Sequence, residues 1–351
     1  MAAFAFETIT SGQAAAYSAD ADGLEFQTPG MWAALASVSY VPAANGSPDM
    51  VAVTLDGRTV MFGAGLMGDQ DVRFADGSKL FVGGAAAEQV SGTAGGDALF
   101  GGQGTDSLVG DLGADFLQGN QGADSLIAGQ GDDFVYGGQG DDAIDVGDGA
   151  NFAQGNLGND TVVAAAASGS NLLLGGQGDD VVRGGDSGDV LLGNLGSDVV
   201  AGGGGADTLS GEGGADTLDG GEGGDVFVMG VGSSGVTTLE ADRIVGWSSE
   251  DLIDVPGFGG AGAFYMIPAD TVGGGGGYYG GGGGGFVPLS FATALSRANS
   301  WMRDHRSDTI ISAQVEDGVA IFVDTNGDRA ADLAMILVGR NLFDVGGANF
   351  I

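Results

Sequence analysis

The chain has 351 residues, a formal charge of −37 at pH 7, no cysteine, and glycine at 74 positions. The strong negative charge argues against nucleic acid as a partner and opposes compaction. The lack of cysteine rules out disulfide bonds as a source of stability. Because glycine loses more backbone freedom on folding than other residues, this chain needs another stabilising agent, and a bound divalent cation is the economical candidate.

The N-terminal region predicts a small β-rich cap over residues 1–64. Short runs such as MVAVTL and TVMF alternate apolar and polar side chains, and the turn signals NGSPD and DG separate them. The first basic residue is Arg58, so we expect no cleaved N-terminal signal. The chain has no run of about 18 apolar residues, so we also expect no membrane span.

Residues 65–91 divide into three imperfect segments of nine, GLMGDQDVR, FADGSKLFV and GGAAAEQVS. Each keeps an apolar eighth position, namely Val72, Phe81 and Val90, but loses the aspartate that the later segments carry. Since the terminal repeats of such arrays are atypical, we predict degenerate coils that bind no metal.

Residues 92–228 form fifteen segments of nine that fit G-G-x-G-x-D-x-U-x, where U is a large apolar residue, with one interruption at Ala164 and Ala165. The sixth position is Asp in thirteen segments and Asn in two, at Asn151 and Asn171. The thirteen candidate metal ligands are Asp97, Asp106, Asp115, Asp124, Asp133, Asp142, Asp160, Asp180, Asp189, Asp198, Asp207, Asp216 and Asp225.

This period predicts coils of two segments each, with short parallel strands stacked 18 residues apart and the eighth position facing inward. The first inward column is Leu99, Leu117, Val135, Ala153, Leu173, Leu191, Leu209 and Phe227. The second is Leu108, Leu126, Ile144, Val162, Val182, Val200 and Leu218. Such a thin apolar seam cannot by itself offset the entropy of so many glycines.

The turns supply the missing stabilisation. Glycine permits conformations that aim backbone carbonyls at one point, and the sixth-position carboxylate adds to them, which suits the hard cation Ca²⁺. Residues 92–228 hold 23 acids and one base, Arg183, so the segment should be disordered until metal binds. We expect about ten calcium ions. Further acids at Asp132, Asp141 and Asp179 are expected to add only to the local field.

The array resembles the RTX (repeats-in-toxin) family of haemolysin-type calcium-binding repeats. The resemblance implies a right-handed, calcium-loaded parallel β-roll that is disordered in the low-calcium cytosol and folds after export. It also implies that the thirteen aspartates are the ligand carboxylates. Asn151 and Asn171 depart from the pattern, and their sites are expected to be weaker or empty. The fold class is therefore all-β, with a β-rich cap at each end.

Residues 229–351 predict the C-terminal cap and an export signal. The segment ADRIVGW…DLIDV resembles the strand pair that closes the roll in serralysin-type proteins, and LVGRNLFDVGGANFI is similar to uncleaved signals of type I secretion substrates. Between them come a glycine-rich insert at 273–285, a helix from Ser290 to about Asp304, and the strands VAIFV and LAMILV. The insert is either a flexible linker or a packed assembly element carrying Tyr278 and Tyr279.

Two local features in this region have competing interpretations. Asp324, Asn326 and Asp328 have EF-hand spacing, but Arg329 and Met335 replace the required Gly and Glu, so a hairpin turn on Asn326-Gly327 is favoured over a metal loop. His305 is the sole histidine, in a basic cluster, and is interpreted as a surface residue.

The sequence argues against an enzyme, because it has no H-E-x-x-H and no G-x-S-x-G motif. We expect a secreted calcium-binding structural protein that passes through a type I secretion apparatus. Outside the cell it would self-associate into a homo-oligomer, filament, matrix or surface layer. The alternative is a calcium-dependent adhesin or a module that binds surface polysaccharide, for which Phe116, Phe134, Tyr136 and Phe152 are the candidate outer aromatics. A soluble calcium buffer is a third possibility.

Overall fold

The computed structural model describes residues 2–17, 22–27, 33–41, 50–70, 72–164, 169–230, 241–255, 263–267, 270–271, 286–287, 289–304, 309–324 and 330–340. The chain divides into two compact units, residues 1–187 and 188–351, and each is treated by itself. Among these residues, neither helix is long and apolar enough to cross a bilayer.

The N-terminal part of the first unit is built from short strands and one short helix. Its elements are β1 (Ala2–Ala5), α1 (Ser11–Ala15), β2 (Asp22–Phe26), β3 (Ser37–Val41), β4 (Met50–Leu55), β5 (Arg58–Gly63) and β6 (Arg73–Phe74), with 3-10 turns at Ala33–Leu35 and Ala64–Leu66. Strands β1, β2 and β6 form a parallel sheet, and β3, β4 and β5 an antiparallel one. Helix α1, which the sequence pattern did not predict, begins with a capping box between Thr10 and Gln13.

Aromatic side chains fill the core of this cap. The rings of Phe6 and Phe26 stack at 4.5 Å, and those of Phe26 and Phe74 at 4.0 Å. Tyr17 and Phe62 meet edge to face at 5.9 Å. All five side chains are buried, so the cap has the kind of core that stabilises an ordinary small domain.

The first unit continues as a parallel β-solenoid. Its strands are β7 (Leu80–Val82), β8 (Gln89–Thr93), β9 (Ala98–Gln103), β10 (Ser107–Leu112), β11 (Phe116–Gln121), β12 (Ser125–Gln130), β13 (Phe134–Gln139), β14 (Ala143–Asp145), β15 (Phe152–Leu157), β16 (Thr161–Val163), β17 (Leu172–Gln177) and β18 (Val181–Arg183). Odd-numbered strands pair with odd-numbered strands in one sheet, and even with even in the other. The predicted parallel β-solenoid is thus confirmed.

The register follows the period. Leu117 pairs with Leu99, and Leu126 pairs with Leu108, 18 residues apart in each case. After β16 the spacing becomes 20, since Leu173 pairs with Ala153 and Val182 with Val162. The two-residue insertion thus lies between β16 and β17; Ala164 is buried, and Ala165 falls outside the described residues.

All fifteen eighth-position side chains predicted to point inward are buried, with at most 1% of their surface exposed. Backbone geometry explains the second position, which is Gly, Asn, Asp or Glu in most of the repeats. Asn120 and Asn156 there have φ of 77° and 81°, the left-handed region that asparagine tolerates better than most residues.

The second unit contains further coils and the C-terminal elements. Its strands are β19 (Val190–Leu195), β20 (Val199–Gly204), β21 (Thr208–Gly213), β22 (Thr217–Glu222), β23 (Val226–Val228), β24 (Asp242–Val245), β25 (Leu252–Asp254), β26 (Ala263–Ile267), β27 (Asp270–Thr271), β28 (Phe286–Val287), β29 (Thr309–Val315), β30 (Gly318–Asp324) and β31 (Leu333–Val338), with helix α2 (Phe291–Asp304). Strands β24 and β25 pair in parallel with β22 and β23 and so add one more coil, offset by 26 residues instead of 18.

The C-terminal cap contains the predicted helix and the two predicted strands, and the helix packs on the antiparallel pair that these strands form. Ser290 caps α2 by accepting a hydrogen bond from the Thr293 backbone N–H at 3.3 Å, and Phe291, Ala298 and Met302 bury one face of the helix against the sheet. Strands β30 and β31 pair antiparallel, with β24 beside β31. Residues 325–329 of the hairpin loop, His305, the insert at 273–285 and the segment 341–351 lie outside the described residues.

Candidate metal centre

A ladder of sixth-position side chains runs through the turns of each unit. The backbone N–H of Asp106 donates to Oδ1 of Asp124 at 2.8 Å, and the N–H of Asp124 donates to Oδ1 of Asp142 at 2.8 Å. The same bond recurs between Asp198 and Asp216 at 2.8 Å. Each carboxylate therefore fastens its own coil to the coil before it.

The second carboxylate oxygen is left over. Eight of these aspartates are buried with an Oδ2 atom that accepts no hydrogen bond: Asp106, Asp115, Asp124, Asp133, Asp142, Asp160, Asp207 and Asp225. A buried carboxylate oxygen without a partner is costly, and a row of them is a strong indication of a missing cation.

The first-position glycine makes room for this oxygen. A Cβ atom added to Gly101 would lie 2.4 Å from Oδ2 of Asp106 and 2.8 Å from the carbonyl oxygen of Gly119 in the next coil. At Gly119 the corresponding distances, to Asp124 Oδ2 and Gly137 O, are 2.3 and 2.6 Å. Each turn thus brings a carboxylate oxygen and a carbonyl oxygen to one small space.

Charge in these turns is held out of water. Burial, with a smaller contribution from neighbouring carboxylates, raises the pKa of Asp115 and of Asp142 to about 7, although the backbone N–H bond to each carboxylate opposes the shift. Burial also raises the pKa of Asp133, Asp160 and Asp207 to about 6. In the metal-free state the folded turns therefore hold these protons to a higher pH than the unfolded chain does, and a bound cation would favour the ionised form.

The two asparagines fit the ladder differently. Asn151 Oδ1 accepts the N–H of Asp133 at 2.9 Å, so the inter-coil bond is kept. Its Nδ2, however, donates to the Gly149 carbonyl at 3.4 Å, and Nδ2 of Asn171 donates to the Gly169 carbonyl at 3.0 Å. An amide donor thus stands where the other turns have an acceptor, which accords with the expectation of weaker or empty sites.

The first turn of the array also differs. Asp97 is held by Thr93, whose Oγ1 donates to Oδ1 at 3.0 Å and whose backbone N–H donates to Oδ2. One coil earlier the sixth position is Lys79, a buried residue whose Nζ donates to Gln70 Oε1 at 2.7 Å and to the Ser91 carbonyl at 3.0 Å. A side-chain ammonium is present in this coil, which was expected to bind no metal.

The ladder extends further than the sequence pattern indicated. Asp242 and Asp251, both buried, accept the backbone N–H groups of Asp216 and Asp225 at 3.1 Å in each case. The 26-residue offset breaks the nonapeptide frame, which is why the frame missed them. The local pattern Asp-x-apolar, in DRI and DLI, was the signal that could have found them.

Acids at the fifth position of the repeat make a second set of contacts between coils. They were expected to contribute only to the local electrostatic field. Asp132 Oδ1 accepts the N–H of Ala150 at 2.9 Å, and Asp141 Oδ1 accepts that of Asn159 at 2.8 Å. Both acids are exposed or half-buried, so they hold adjacent coils at the surface of the turn.

The donor set fits calcium. Across the described ranges no three His, Cys, Asp or Glu side chains cluster in a way that could hold a metal, so any site combines carboxylate oxygens with backbone carbonyls. An all-oxygen set of this kind suits Ca²⁺ rather than metals that prefer nitrogen or sulfur. The sixth-position aspartates and the first-position carbonyls are the groups that would hold it.

A comparison with protein families agrees with this chemistry. The family model described as "RTX calcium-binding nonapeptide repeat (4 copies)" matches residues 82–117, 110–144, 118–153, 145–167, 166–200 and 192–227. Among solved structures, the solution structure of the AlgE6R3 subunit from the Azotobacter vinelandii mannuronan C5-epimerase is similar at 24% identity and a TM-score of 0.31, over 50% of this chain and 80% of that one. No curated protein sequence matches. Residues 82–227 of the chain thus consist of RTX nonapeptide repeats, which bind calcium, and proteins with such repeats are typically secreted.

Proposed function

We propose that this protein is a secreted structural protein that folds on Ca²⁺ outside the cell and then self-associates into matrix, surface-layer or fibre material. The observation that carries the first part is the row of buried carboxylate oxygens without hydrogen-bond partners. Because each such oxygen opposes folding until a cation reaches it, calcium binding and folding are one event.

The proposal of a structural role rests on the large share of the chain that the repeat scaffold occupies. The repeat array and its two caps account for most of the described residues, and the array is a scaffold of short strands. Export by a type I secretion apparatus agrees with the acidic repeats, which remain unfolded where calcium is scarce.

Two features support self-association. Within residues 188–351, the described strands leave one edge of β25 (Leu252–Asp254) without a partner strand, and an open strand edge can pair with another chain. The C-terminal hundred residues also hold Arg297, Arg303, Arg306, Arg329 and Arg340, whereas the repeats are acidic. The same hundred residues also hold ten acids, so it is their arginine side chains, and not their net charge, that would favour head-to-tail contact with an acidic repeat.

Electron microscopy of the purified protein with and without about 1–5 mM calcium, the range of extracellular sites, tests the proposal. Filaments or sheets that appear only with calcium are the expected result. Light scattering at low salt provides the matched solution measurement. Folded monomers at every calcium concentration would overturn the assembly part, while β-structure that forms fully in chelator would overturn calcium-dependent folding.

A further inference from the structure

The outer face of the odd-numbered sheet in the first unit carries a groove of about 480 Å³. Strands β9, β11, β13 and β15 form its floor, and Tyr40 of β3 stands at its wall. Six side-chain amides line it: Gln103, Gln118, Asn120, Gln121, Gln139 and Asn156. None of the lining side chains is charged, although the chain carries a formal charge of −37. We refer to this feature as the amide groove.

The amides of the groove are arranged regularly. Gln103, Gln121 and Gln139 stand opposite one another on successive strands, at a strand spacing of about 4.8 Å. Gln121 and Gln139 are exposed, and each offers both hydrogen-bond donors and an acceptor to a ligand. The Nδ2 atoms of Asn120 and Asn156 donate to the carbonyls of Gln118 and Gln154 at 3.4 and 3.3 Å, which fixes these two side chains.

An aromatic strip borders and enters the groove. It runs through Phe100, Phe116, Tyr136, Phe152 and Phe134, with successive ring centroids 5.4, 5.7, 5.4 and 6.0 Å apart. Tyr136 lies in the strip and also lines the groove. Phe134 is 53% exposed, the highest value among the large apolar side chains of β13 and its neighbours.

The aromatic strip is specific to this sheet. On the even-numbered strands β10 to β18, the outward seventh and ninth positions hold no aromatic residue; they are Ser107, Val109, Ser125, Ile127, Ala143, Asp145, Thr161, Val163, Val181 and Arg183. Phe100 is buried in the core of the N-terminal cap and Phe116 packs against that core, so the fold accounts for these two rings. Phe134, Tyr136 and Phe152 lie outside that core, and the repeat and inward columns that the two sheets share do not account for them. Phe134 is exposed and Tyr136 and Phe152 are half-buried, and a partly exposed aromatic surface beside convergent polar groups is typical of a ligand site.

We propose that the amide groove and the aromatic strip bind a neutral oligosaccharide or polysaccharide chain. A pyranose ring has an apolar face, which can lie against an aromatic ring, and a rim of hydroxyl groups, which pair with amide donors and acceptors. The regular glutamine ladder suits a ligand with repeated hydroxyls. Acidic glycans are disfavoured, because the groove offers no cation and the whole chain repels anions.

The inference does not rest on self-assembly, but it does require the folded coils. Strands β9 to β15 are held together by turns that contain Asp106, Asp115, Asp124, Asp133 and Asp142. Binding is therefore expected only when calcium has folded these coils. Calcium is a folding requirement here and does not contact the saccharide.

The test is isothermal titration calorimetry of the full chain at low protein concentration with cellohexaose, xylohexaose, laminarihexaose and mannohexaose, and with oligogalacturonate as the acidic comparison. The key variant is Gln121→Ala combined with Gln139→Ala, which removes two exposed amides and leaves the rings in place. Gln130→Ala is the matched control, since Gln130 is exposed at the same third position of its repeat but lies on the even-numbered sheet.

Binding of at least one neutral hexasaccharide in calcium is expected, with none in chelator. The double variant should weaken it by about tenfold, the effect of losing two side-chain hydrogen bonds, and Gln130→Ala should leave it unchanged. The proposal is overturned if no neutral oligosaccharide binds the calcium-loaded chain, or if oligogalacturonate binds as tightly. Equal losses in the double variant and the control would also overturn it. Circular dichroism shows that each variant is folded.

Discussion

The N-terminal cap and the first part of the repeat array lie in one unit of the chain but depend on different sources of stability. The cap buries stacked aromatic rings, Phe6 on Phe26 on Phe74, around a two-sheet core. The array buries one apolar side chain per strand together with a carboxylate in nearly every turn. Hydrophobic burial therefore suffices for the cap, whereas the array needs a cation to compensate its buried charge.

Removing calcium should produce the largest difference in stability between the cap and the array. In chelator we expect the amides of the array, residues 98–163, to lose hydrogen-exchange protection, because unpaired buried carboxylates oppose folding. The amides of β4 and β5 in the cap should stay protected. Hydrogen exchange with mass spectrometry measures both regions at once. Magnesium at the same concentration is the control and should not restore the array, since it resists dehydration. Equal loss in both regions would contradict the distinction.

The next largest difference should come from adding a single methyl group to a glycine, which should destabilise the array but not the cap. In Gly119→Ala the new Cβ would lie 2.3 Å from Asp124 Oδ2 and 2.6 Å from the Gly137 carbonyl, so the carboxylate must move. We expect a loss of about 1–3 kcal/mol of stability in calcium and weaker calcium binding. Gly12→Ala in helix α1 is the matched control, because a Cβ there meets nothing within 4 Å. It should be neutral or slightly stabilising. Thermal unfolding in calcium compares the variants, and similar losses in both would contradict the account.

The pH dependence of the metal-free array should be opposite to that of most acidic proteins with paired carboxylates. Burial raises the pKa of Asp115 and Asp142 to about 7, so the folded array binds more protons than the unfolded chain between about pH 4 and 7. This contribution to stability is full below pH 4 and is lost as the pH rises through 7. Circular dichroism in calcium-free buffer should therefore show more residual β-structure at pH 5 than at pH 8.

The double variant Asp115→Asn with Asp142→Asn controls for the general effect of net charge. It should reduce the difference between pH 5 and pH 8, because two of the groups that take up protons are gone. If the pH dependence of the variant equals that of the wild-type chain, it arises from overall charge repulsion and not from Asp115 and Asp142. In the wild-type chain, calcium affinity should rise over the same pH interval, as the metal must displace these protons.

The smallest expected effect concerns an asparagine inside the array. Asn151→Asp replaces the amide that donates to the Gly149 carbonyl with a carboxylate oxygen, so the turn becomes like its neighbours. We expect up to one additional calcium per chain and a less stable metal-free state. Asn159→Asp is the control, because Asn159 is exposed at the fifth position and adds the same charge outside the ladder. Metal analysis after gel filtration counts the ions, and an equal gain in both variants would contradict the role given to position six.

Most of the fold could be predicted because it is periodic. A nine-residue repeat with an apolar eighth position fixes which side chains face inward, and Leu117 or Val135 needed no further information. Helix α1 could not be predicted in the same way, since five residues carry too little periodicity to distinguish a helix from a turn.

The candidate metal site was predictable as a residue type but not in its extent. Asp242 and Asp251 were missed because an insertion displaced them from the frame, although their hydrogen bonds match those of the regular repeats. The roles of Thr93 and Lys79 depend on contacts between coils, which no local pattern encodes. The aromatic strip was likewise undervalued, because its rings are distant in sequence and adjacent only across strands.

The direction of the aspartate ladder has a consequence for symmetry. Every inter-coil bond of the sixth-position ladder reported above runs from the N–H of one coil to the side-chain oxygen of the following coil, so the two ends of a stack of coils are chemically different. A two-fold axis would place identical ends together, donor against donor or acceptor against acceptor. Joining through the ladder requires unlike ends, which is a heterologous contact that repeats without closing. Copies that meet in this way would build an open polar fibre with distinguishable ends and not a closed dimer.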